Sequence, residues 1–122
     1  MLKKLLIALF IANSVSNYAI AKSHDLQKKY EEHFYARALK EARHCVGDQL
    51  KQYDDGISDA SLIASVAYNK CEKKFNQVVF RACVFYDLSV EECQIYKNNM
   101  GTPKHINSWI VPQVLEYRKK KK

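Results

Sequence analysis

The sequence predicts an all-α fold, a disulfide-stapled bundle of four or five helices. Glycine and proline are scarce, with three and two residues in a chain of 122. Apolar residues recur at helical spacing over most of the chain, and Ser, Asp and Gly residues stand where helices would begin and end. Four cysteines, an even number, are typical of a small exported domain with two disulfides.

Residues 1–21 have the composition of a secretory signal peptide. Two lysines precede an uncharged run at residues 5–12, and Ala19-Ile20-Ala21 forms a small-x-small cleavage site. The run is shorter than the roughly 20 residues needed to cross a bilayer. We therefore expect a cleaved signal peptide, one domain over residues 22–117 and a basic tail over residues 118–122. The mature chain should not span a membrane and should be periplasmic in a Gram-negative bacterium, or alternatively secreted.

A first helix of about 30 residues is predicted between Leu26 and the corner at Asp54-Asp55-Gly56. Its apolar residues recur every four positions and should form one stripe that faces the core. The stripe consists of Leu26, Tyr30, Phe34, Ala38, Ala42, Val46 and Leu50. Gly56 should close this helix because glycine readily adopts the left-handed conformation.

The start of the next helix is marked by Ser58 as N-cap, with Asp59 in the first turn. Ile57 should pack on Leu62 as a hydrophobic staple. This segment is either one long helix or two, with residues 69–77 the weakest stretch. The side chains predicted to face inward are Leu62, Ile63, Val66, Phe75, Val78, Val79, Ala82, Phe85 and Tyr86.

Two shorter helices complete the chain. Ser89 and Glu92 match a capping box that opens a helix at about residues 90–98. A last helix is predicted over residues 106–117, with Pro112 near its first turn, where a missing amide hydrogen costs little. Its cap should be Asn107 or Ser108, and it should bury Trp109, Ile110, Val114 and Leu115.

The cysteines can be paired by their distance from the predicted turns. Cys83 and Cys93 lie symmetrically about one turn, while Cys45 and Cys71 lie 11 and 15 residues from Gly56. That mismatch is about one helical turn, which a tilted crossing can absorb. Of the three possible connectivities we therefore predict Cys45–Cys71 and Cys83–Cys93, both structural.

The positive charge of the chain is concentrated at its end. The formal net charge is +7, yet residues 22–117 are balanced. The basic tail consists of Arg118, Lys119, Lys120, Lys121 and Lys122. Such an end either contacts an anionic lipid or glycan surface or is simply solvated. Nucleic-acid binding is not expected, because no basic stripe with stacking aromatic residues runs through the balanced region.

Motifs for catalysis are missing from the sequence, which favours a protein that is not an enzyme. It contains no zinc-protease helix, no C-x₂-C spacing, no Gly-rich phosphate loop and no G-x-S-x-G elbow. We predict no catalytic or metal-binding residue and no cofactor. The alternative is a small hydrolase, which would need a pocket that gathers His33 or His44 with a carboxylate.

Tyrosine is abundant, with seven residues after position 21. Tyrosine is enriched at protein interfaces, but it can also fill a core and keep its hydroxyl group at the rim. The first helix carries the candidate partner-binding residues Tyr30, His33, Tyr35 and Arg37.

The segment from Cys45 to Cys71 resembles a pattern found in small exported bacterial proteins of unassigned function. It reads Cys-x₈-Asp-Asp-Gly-x-Ser-Asp-Ala-x₂-Ile-Ala-x₆-Cys. The resemblance implies two helices that are joined at this corner and tied by a disulfide. In size, export sequence, helical content and paired cysteines, the chain is also similar to periplasmic immunity proteins that block cell-wall amidase toxins delivered by type VI secretion.

We therefore expect a periplasmic binding protein without enzymatic activity. Its most concrete form is an immunity or inhibitor protein whose partner is an envelope or periplasmic protein. The alternative is a protein that associates with an anionic envelope surface through residues 118–122. The sequence does not indicate an oligomeric state.

Overall fold

The computed structural model describes the backbone of residues 2–122 and the side chains of residues 22–122. The predicted signal peptide, residues 1–21, therefore lies outside the residues whose side chains are described. Over residues 2–122 the backbone forms helices and no strand. None of the helices in this part of the chain is long and apolar enough to cross a membrane.

Six helices follow one another along residues 2–122. Their bounds are α1 (Leu2–Tyr53), α2 (Ala60–Lys70), α3 (Glu72–Phe85), α4 (Val90–Met100), α5 (Pro103–Trp109) and α6 (Val111–Lys121). The all-α fold class is confirmed. The structure contains one helix more than the largest number expected, because the last predicted helix is divided in two.

Both predicted disulfides are confirmed. Cys45 of α1 is bonded to Cys71, which lies between α2 and α3, with Cα atoms 6.0 Å apart. Cys83 of α3 is bonded to Cys93 of α4, with Cα atoms 5.6 Å apart. The first bond joins the start of α3 to α1, and the second joins its end to α4. Two disulfides are typical of proteins that fold in an oxidising compartment.

Among the described residues, the most extensive contact between two helices is that of α1 with α3. Cys71 lies opposite Cys45, and Phe85 at the other end of α3 stacks on Tyr35 with ring centroids 5.7 Å apart. The two helices are therefore antiparallel. On the other side of the molecule α2 packs against α5 and α6. The core consists of Ala38, Ala42, Val46, Leu50, Ile63, Ala64, Ala67, Cys71, Phe75, Val78, Val79, Met100, Ile106, Ile110 and Val114.

The apolar stripe predicted on α1 faces the core over only half of its length. The residues from Ala38 to Leu50 are buried, whereas Leu26, Tyr30 and Phe34 are exposed. An α-helix turns by about 100° per residue, so residues spaced four apart rotate by about 40° at each step. From Leu50 back to Ala38 the rotation is about 120°, the width of one buried face. The residues before Ala38 therefore turn out of the core, and the prediction that they are buried is wrong.

The corner before α2 differs from the prediction. The N-cap is Asp59, whose carboxylate accepts a hydrogen bond from the amide of Ser61 at 2.7 Å. Ser58 is not the cap, because its hydroxyl group donates to the carboxylate of Asp55. That carboxylate also accepts from the amides of Ile57 and Ser58, and this turn directs Ile57 outward. Ile57 is 90% exposed, so the predicted staple is absent from this corner.

The predicted second helix is two helices, α2 and α3, which meet at Cys71 within the weak stretch. The disulfide to α1 holds this junction. Most of the predicted inward residues are buried or half-buried, but Leu62 and Tyr86 are exposed. Leu62 lies at the exposed start of α2. Tyr86 follows the last residue of α3, where its ring contacts Tyr35 of α1 but stays more than half exposed.

The Ser89 side of the predicted capping box of α4 is confirmed, whereas the carboxylate of Glu92 reaches the hydroxyl group of Ser89 instead of its backbone amide. The hydroxyl group of Ser89 accepts a hydrogen bond from the amide of Glu92 at 3.1 Å and donates to its carboxylate at 3.1 Å. The helix runs two residues beyond the predicted end, to Met100, whose side chain is buried in the core.

The helix predicted over residues 106–117 is divided at Ile110 into α5 and α6. Pro112 lies at the start of α6, where it has no amide hydrogen to donate and its ring would clash with the preceding turn of a continuous helix. Neither Asn107 nor Ser108 is a cap. Thr102 caps α5, and Ile110 precedes α6. Ile110 and Val114 are buried as predicted. Trp109 and Leu115, each next to one of them in sequence, are exposed.

Candidate functional site

The four candidate partner-binding residues do not share one surface. Tyr30, His33 and Arg37 are exposed on α1. Tyr35 is half-buried, and its ring stacks on Phe85 and meets Tyr86 edge-on at 5.8 Å. Burial, with smaller contributions from Tyr96 and Tyr86, raises the pKa of the Tyr35 hydroxyl group. Tyr35 therefore belongs to the packing between α1 and α3, and the other three remain available to a partner.

Exposed apolar side chains from α1 and α3 lie together on the outside of the helix pair. We call this surface, formed by Tyr30, Phe34, Phe80, Arg81 and Val84, the aromatic face. Phe34 is 40% and Phe80 54% exposed, and Tyr30 is 64% exposed. Val84 follows Arg81 by one helical turn of α3. Because contiguous apolar surface is costly to leave in water, such a face often marks an interaction site.

Arg81 connects the two helices at the centre of the aromatic face. The central carbon of its guanidinium group lies 4.8 Å from the ring centroid of Phe34 and 5.4 Å from that of Phe80. Cation–π attraction at these distances favours one position of the guanidinium group. Among the described side chains, no carboxylate forms an ion pair with Arg81. The aromatic face therefore holds a cation that has no carboxylate partner among the described side chains.

An open groove of about 920 Å³ runs along α1 next to the aromatic face. We call it the polar groove. It is lined by His33, Ala36, Arg37, Lys40, Glu41, His44, Cys45, Asp48 and Lys74. The groove therefore contains two of the predicted partner-binding residues, His33 and Arg37.

The carboxylate of Glu41 lies between two cations of the polar groove. One oxygen is 3.2 Å from Nε of Arg37, and the other is 3.7 Å from Nζ of Lys74 on α3. One negative charge thus faces two positive charges. Lys40 contributes a further positive charge and Asp48 a further negative charge. The net charge of the lining is therefore positive when its histidines are neutral.

The polar groove gathers His33 and His44, the histidines named in the hydrolase alternative, with carboxylates. His44 Nε2 lies 3.6 Å from Asp48 Oδ2, but both side chains are more than half exposed. The lining contains no serine or threonine, and its cysteine is in a disulfide. Among the described residues, no cluster of three His, Cys, Asp or Glu side chains could hold a metal ion. The groove thus gathers charges and imidazoles, without a side-chain nucleophile for them to activate.

Sequence reasoning missed Phe80, Arg81 and Val84. Phe80 stands out of phase with the buried residues of α3, Val78, Val79 and Ala82. A large aromatic residue on the polar side of a helix is a signal that could have been used. The contact between Arg81 and Phe34 could not be predicted from the sequence, because it depends on how α3 packs along α1.

The first residue of the predicted basic tail is bound to the rest of the domain. Arg118, assigned to the tail from the sequence, lies in α6, and its guanidinium group binds the carboxylate of Asp54 at 2.9–3.2 Å. It also donates to the carbonyl oxygen of Ser58 at 2.6 Å. The four lysines that follow are exposed. Any anionic surface contact at this end therefore depends on the lysines.

His105 is a titratable side chain in the interior of α5. Its Nε2 atom is buried and has no hydrogen-bond partner among the described residues, and its ring stacks on Trp109 at 5.3 Å. Burial lowers the pKa of His105 below its ordinary value of 6.5. The folded state therefore favours the neutral imidazole.

Acidification is expected to destabilise the fold through His105. Because its pKa is lower in the folded state, its contribution is complete above about pH 6.5 and decreases as the pH falls towards the folded value. His105→Gln should therefore reduce the loss of unfolding free energy between pH 7 and pH 5, measured by urea denaturation. His44→Gln, at a side chain that is 81% exposed, is the matched control. Equal pH dependence in wild type and His105→Gln would contradict the expectation.

Comparison with known proteins does not place the chain in a family. No family model, no curated protein and no solved structure matches the chain significantly. The class of protein is therefore defined by the fold itself, a small all-α domain with two disulfides and a mixed aromatic and basic surface on α1 and α3.

Proposed function

We propose that this protein is an exported, non-enzymatic binding module whose protein partner docks on the aromatic face. The observation that carries the proposal is Arg81, which contacts the rings of both Phe34 and Phe80 and has no carboxylate partner among the described side chains. Arginine and aromatic side chains dominate the binding energy of protein interfaces. Their presence together at the exposed line of contact between α1 and α3, called the seam below, is consistent with a preformed binding site.

The disulfides support this function because they keep the two halves of the aromatic face in register. Cys45–Cys71 lies along the same seam between α1 and α3 as Phe34 and Arg81. A rigid surface loses little conformational freedom on binding, which favours high affinity. Inhibition of a cell-wall-directed toxin in the periplasm is the most concrete form of the proposal, since an inhibitor of this kind must bind tightly.

Paired variants test the proposed function. Phe34→Ser/Phe80→Ser should abolish recovery of the partner from envelope extracts under conditions in which the wild-type protein recovers one discrete protein. Leu115→Ser/Ile95→Ser, at two equally exposed apolar positions elsewhere, is the matched control and should recover the partner normally. Thermal unfolding of both double variants verifies that they are folded. Equal recovery by wild type and Phe34→Ser/Phe80→Ser would refute the proposal, as would recovery of no specific protein by wild type.

A further inference from the structure

The partner surface can be inferred from the charges around the aromatic face. The guanidinium group of Arg81 lies within 5.4 Å of the ring centroids of both Phe34 and Phe80. Among the described side chains, no carboxylate forms an ion pair with it. A planar fork of N–H donors matches the two oxygens of a carboxylate. The geometry around Arg81 is therefore suited to an Asp or Glu side chain.

A second position for negative charge lies along the same seam. Lys74 and Arg81 are seven residues apart on α3, which corresponds to two helical turns, or about 10 Å. Phe34 and Glu41 have the same separation on the antiparallel α1. Lys74 shares the carboxylate of Glu41 with Arg37, so two cations compete for one anion at this end of the seam. A partner carboxylate placed there would restore the balance of charge.

The positive excess disfavours a second copy of this chain as the occupant. Two identical faces would bring together two surfaces that both carry net positive charge. Like charges brought together at an interface are repulsive and select against that pairing. The apolar part of the face meanwhile requires an occupant with apolar side chains of its own.

We infer that the aromatic face and the polar groove bind an acidic, amphipathic helical segment of another protein. One carboxylate of this segment binds Arg81, a second lies about 10 Å away near Lys74, and apolar side chains beside the first carboxylate cover Phe34 and Phe80. On a helix these two acidic residues are seven positions apart. The inference rests on the proposed function and specifies the chemistry of its partner.

Two synthetic peptides test the inference directly. Both are 21-residue amphipathic helices with the same apolar stripe, and two positions seven residues apart carry Glu in one peptide and Lys in the other. Fluorescence anisotropy with the full chain should show binding of the Glu peptide at least tenfold tighter than that of the Lys peptide. The preference should weaken as salt is raised, because the contact is between charges at a surface. Equal affinities for the two peptides would overturn the inference.

Variants of Arg81 assign the effect to its side chain. Arg81→Gln should weaken binding of the Glu peptide about tenfold. Arg81→Lys should restore only part of the affinity, because an ammonium group lacks the planar fork. Arg43→Gln, at an exposed arginine on α1 outside both surfaces, is the matched control and should bind like wild type. Unchanged binding by Arg81→Gln would overturn the inference.

An anionic membrane is the competing occupant and has its own measurement. Vesicles of phosphatidylglycerol and phosphatidylcholine should show no binding that depends on Arg81. Binding that is lost in Arg81→Gln would assign the surface to lipid and overturn the inference. If Phe34→Ser/Phe80→Ser loses the envelope partner while Arg81→Gln retains it, the proposed function stands and the acidic segment is rejected.

Discussion

Replacing Cys45 and Cys71 together by alanine is expected to lower the free energy of unfolding by about 3.5 kcal/mol. The bond joins residues 26 apart in sequence, so its removal gives the unfolded chain the conformational freedom of a long loop. Urea denaturation followed by the fluorescence of Trp109 measures the change. Because the bond holds the junction of α2 and α3 against α1, its loss should also separate Arg81 from Phe34 more often.

The second disulfide is the matched control for this effect. Cys83–Cys93 joins residues only 10 apart, and the same loop-entropy relation gives about 2.7 kcal/mol for its removal. Cys45→Ala/Cys71→Ala should therefore be the less stable of the two double variants. The opposite order would show that loop length does not determine what each bond contributes.

Asp54→Asn is expected to lower the free energy of unfolding by about 2 kcal/mol at pH 7. The side chain of Asp54 is only 1% exposed and accepts hydrogen bonds from Arg118 and from the amide of Gly56. An asparagine side chain keeps one oxygen but loses the charge, and its amide group would face the guanidinium group of Arg118. Thermal and urea unfolding give the difference in stability.

The effect of Asp54→Asn should disappear in acid. The hydrogen bonds from Arg118, followed by the weaker bond from Gly56, lower the pKa of Asp54 below 3.8 despite the opposing effect of burial. A carboxylate with a lowered folded pKa stabilises the fold above its unfolded pKa, and this stabilisation is lost as the pH falls through the folded value. Wild type and Asp54→Asn should therefore converge once the pH has fallen below the folded pKa of Asp54, which lies under 3.8. Asp48→Asn, at an exposed carboxylate, should show little effect at any pH.

Much of the fold could be predicted because local chemistry determines it. The capping box of α4 needs only Ser89 and Glu92, and the pairing of the cysteines follows from their distances to the turns. The errors arose where two local preferences compete. At the corner, Ser58 and Asp59 are both good caps, and Asp55 decides between them by binding the Ser58 hydroxyl group.

Prediction of the candidate site was less complete because the site depends on packing. The composition of one helix predicts Tyr30, His33 and Arg37 as candidates, and their side chains are exposed, but Tyr35 is used in the packing against α3. The role of Arg81 requires the antiparallel register of α1 and α3. The long-range pair of Arg118 with Asp54 spans 64 residues and has no local sequence pattern.

Site-specific photo-crosslinking tests the central claim, that the aromatic face is a docking surface, most directly. The photoreactive residue p-benzoylphenylalanine is placed at Phe34 in one variant and at Leu115, an exposed apolar position on α6, in another. Illumination of intact cells should give one discrete protein adduct from position 34 and none from position 115. Adducts of the same pattern from both positions, or no adduct from position 34, would contradict the claim.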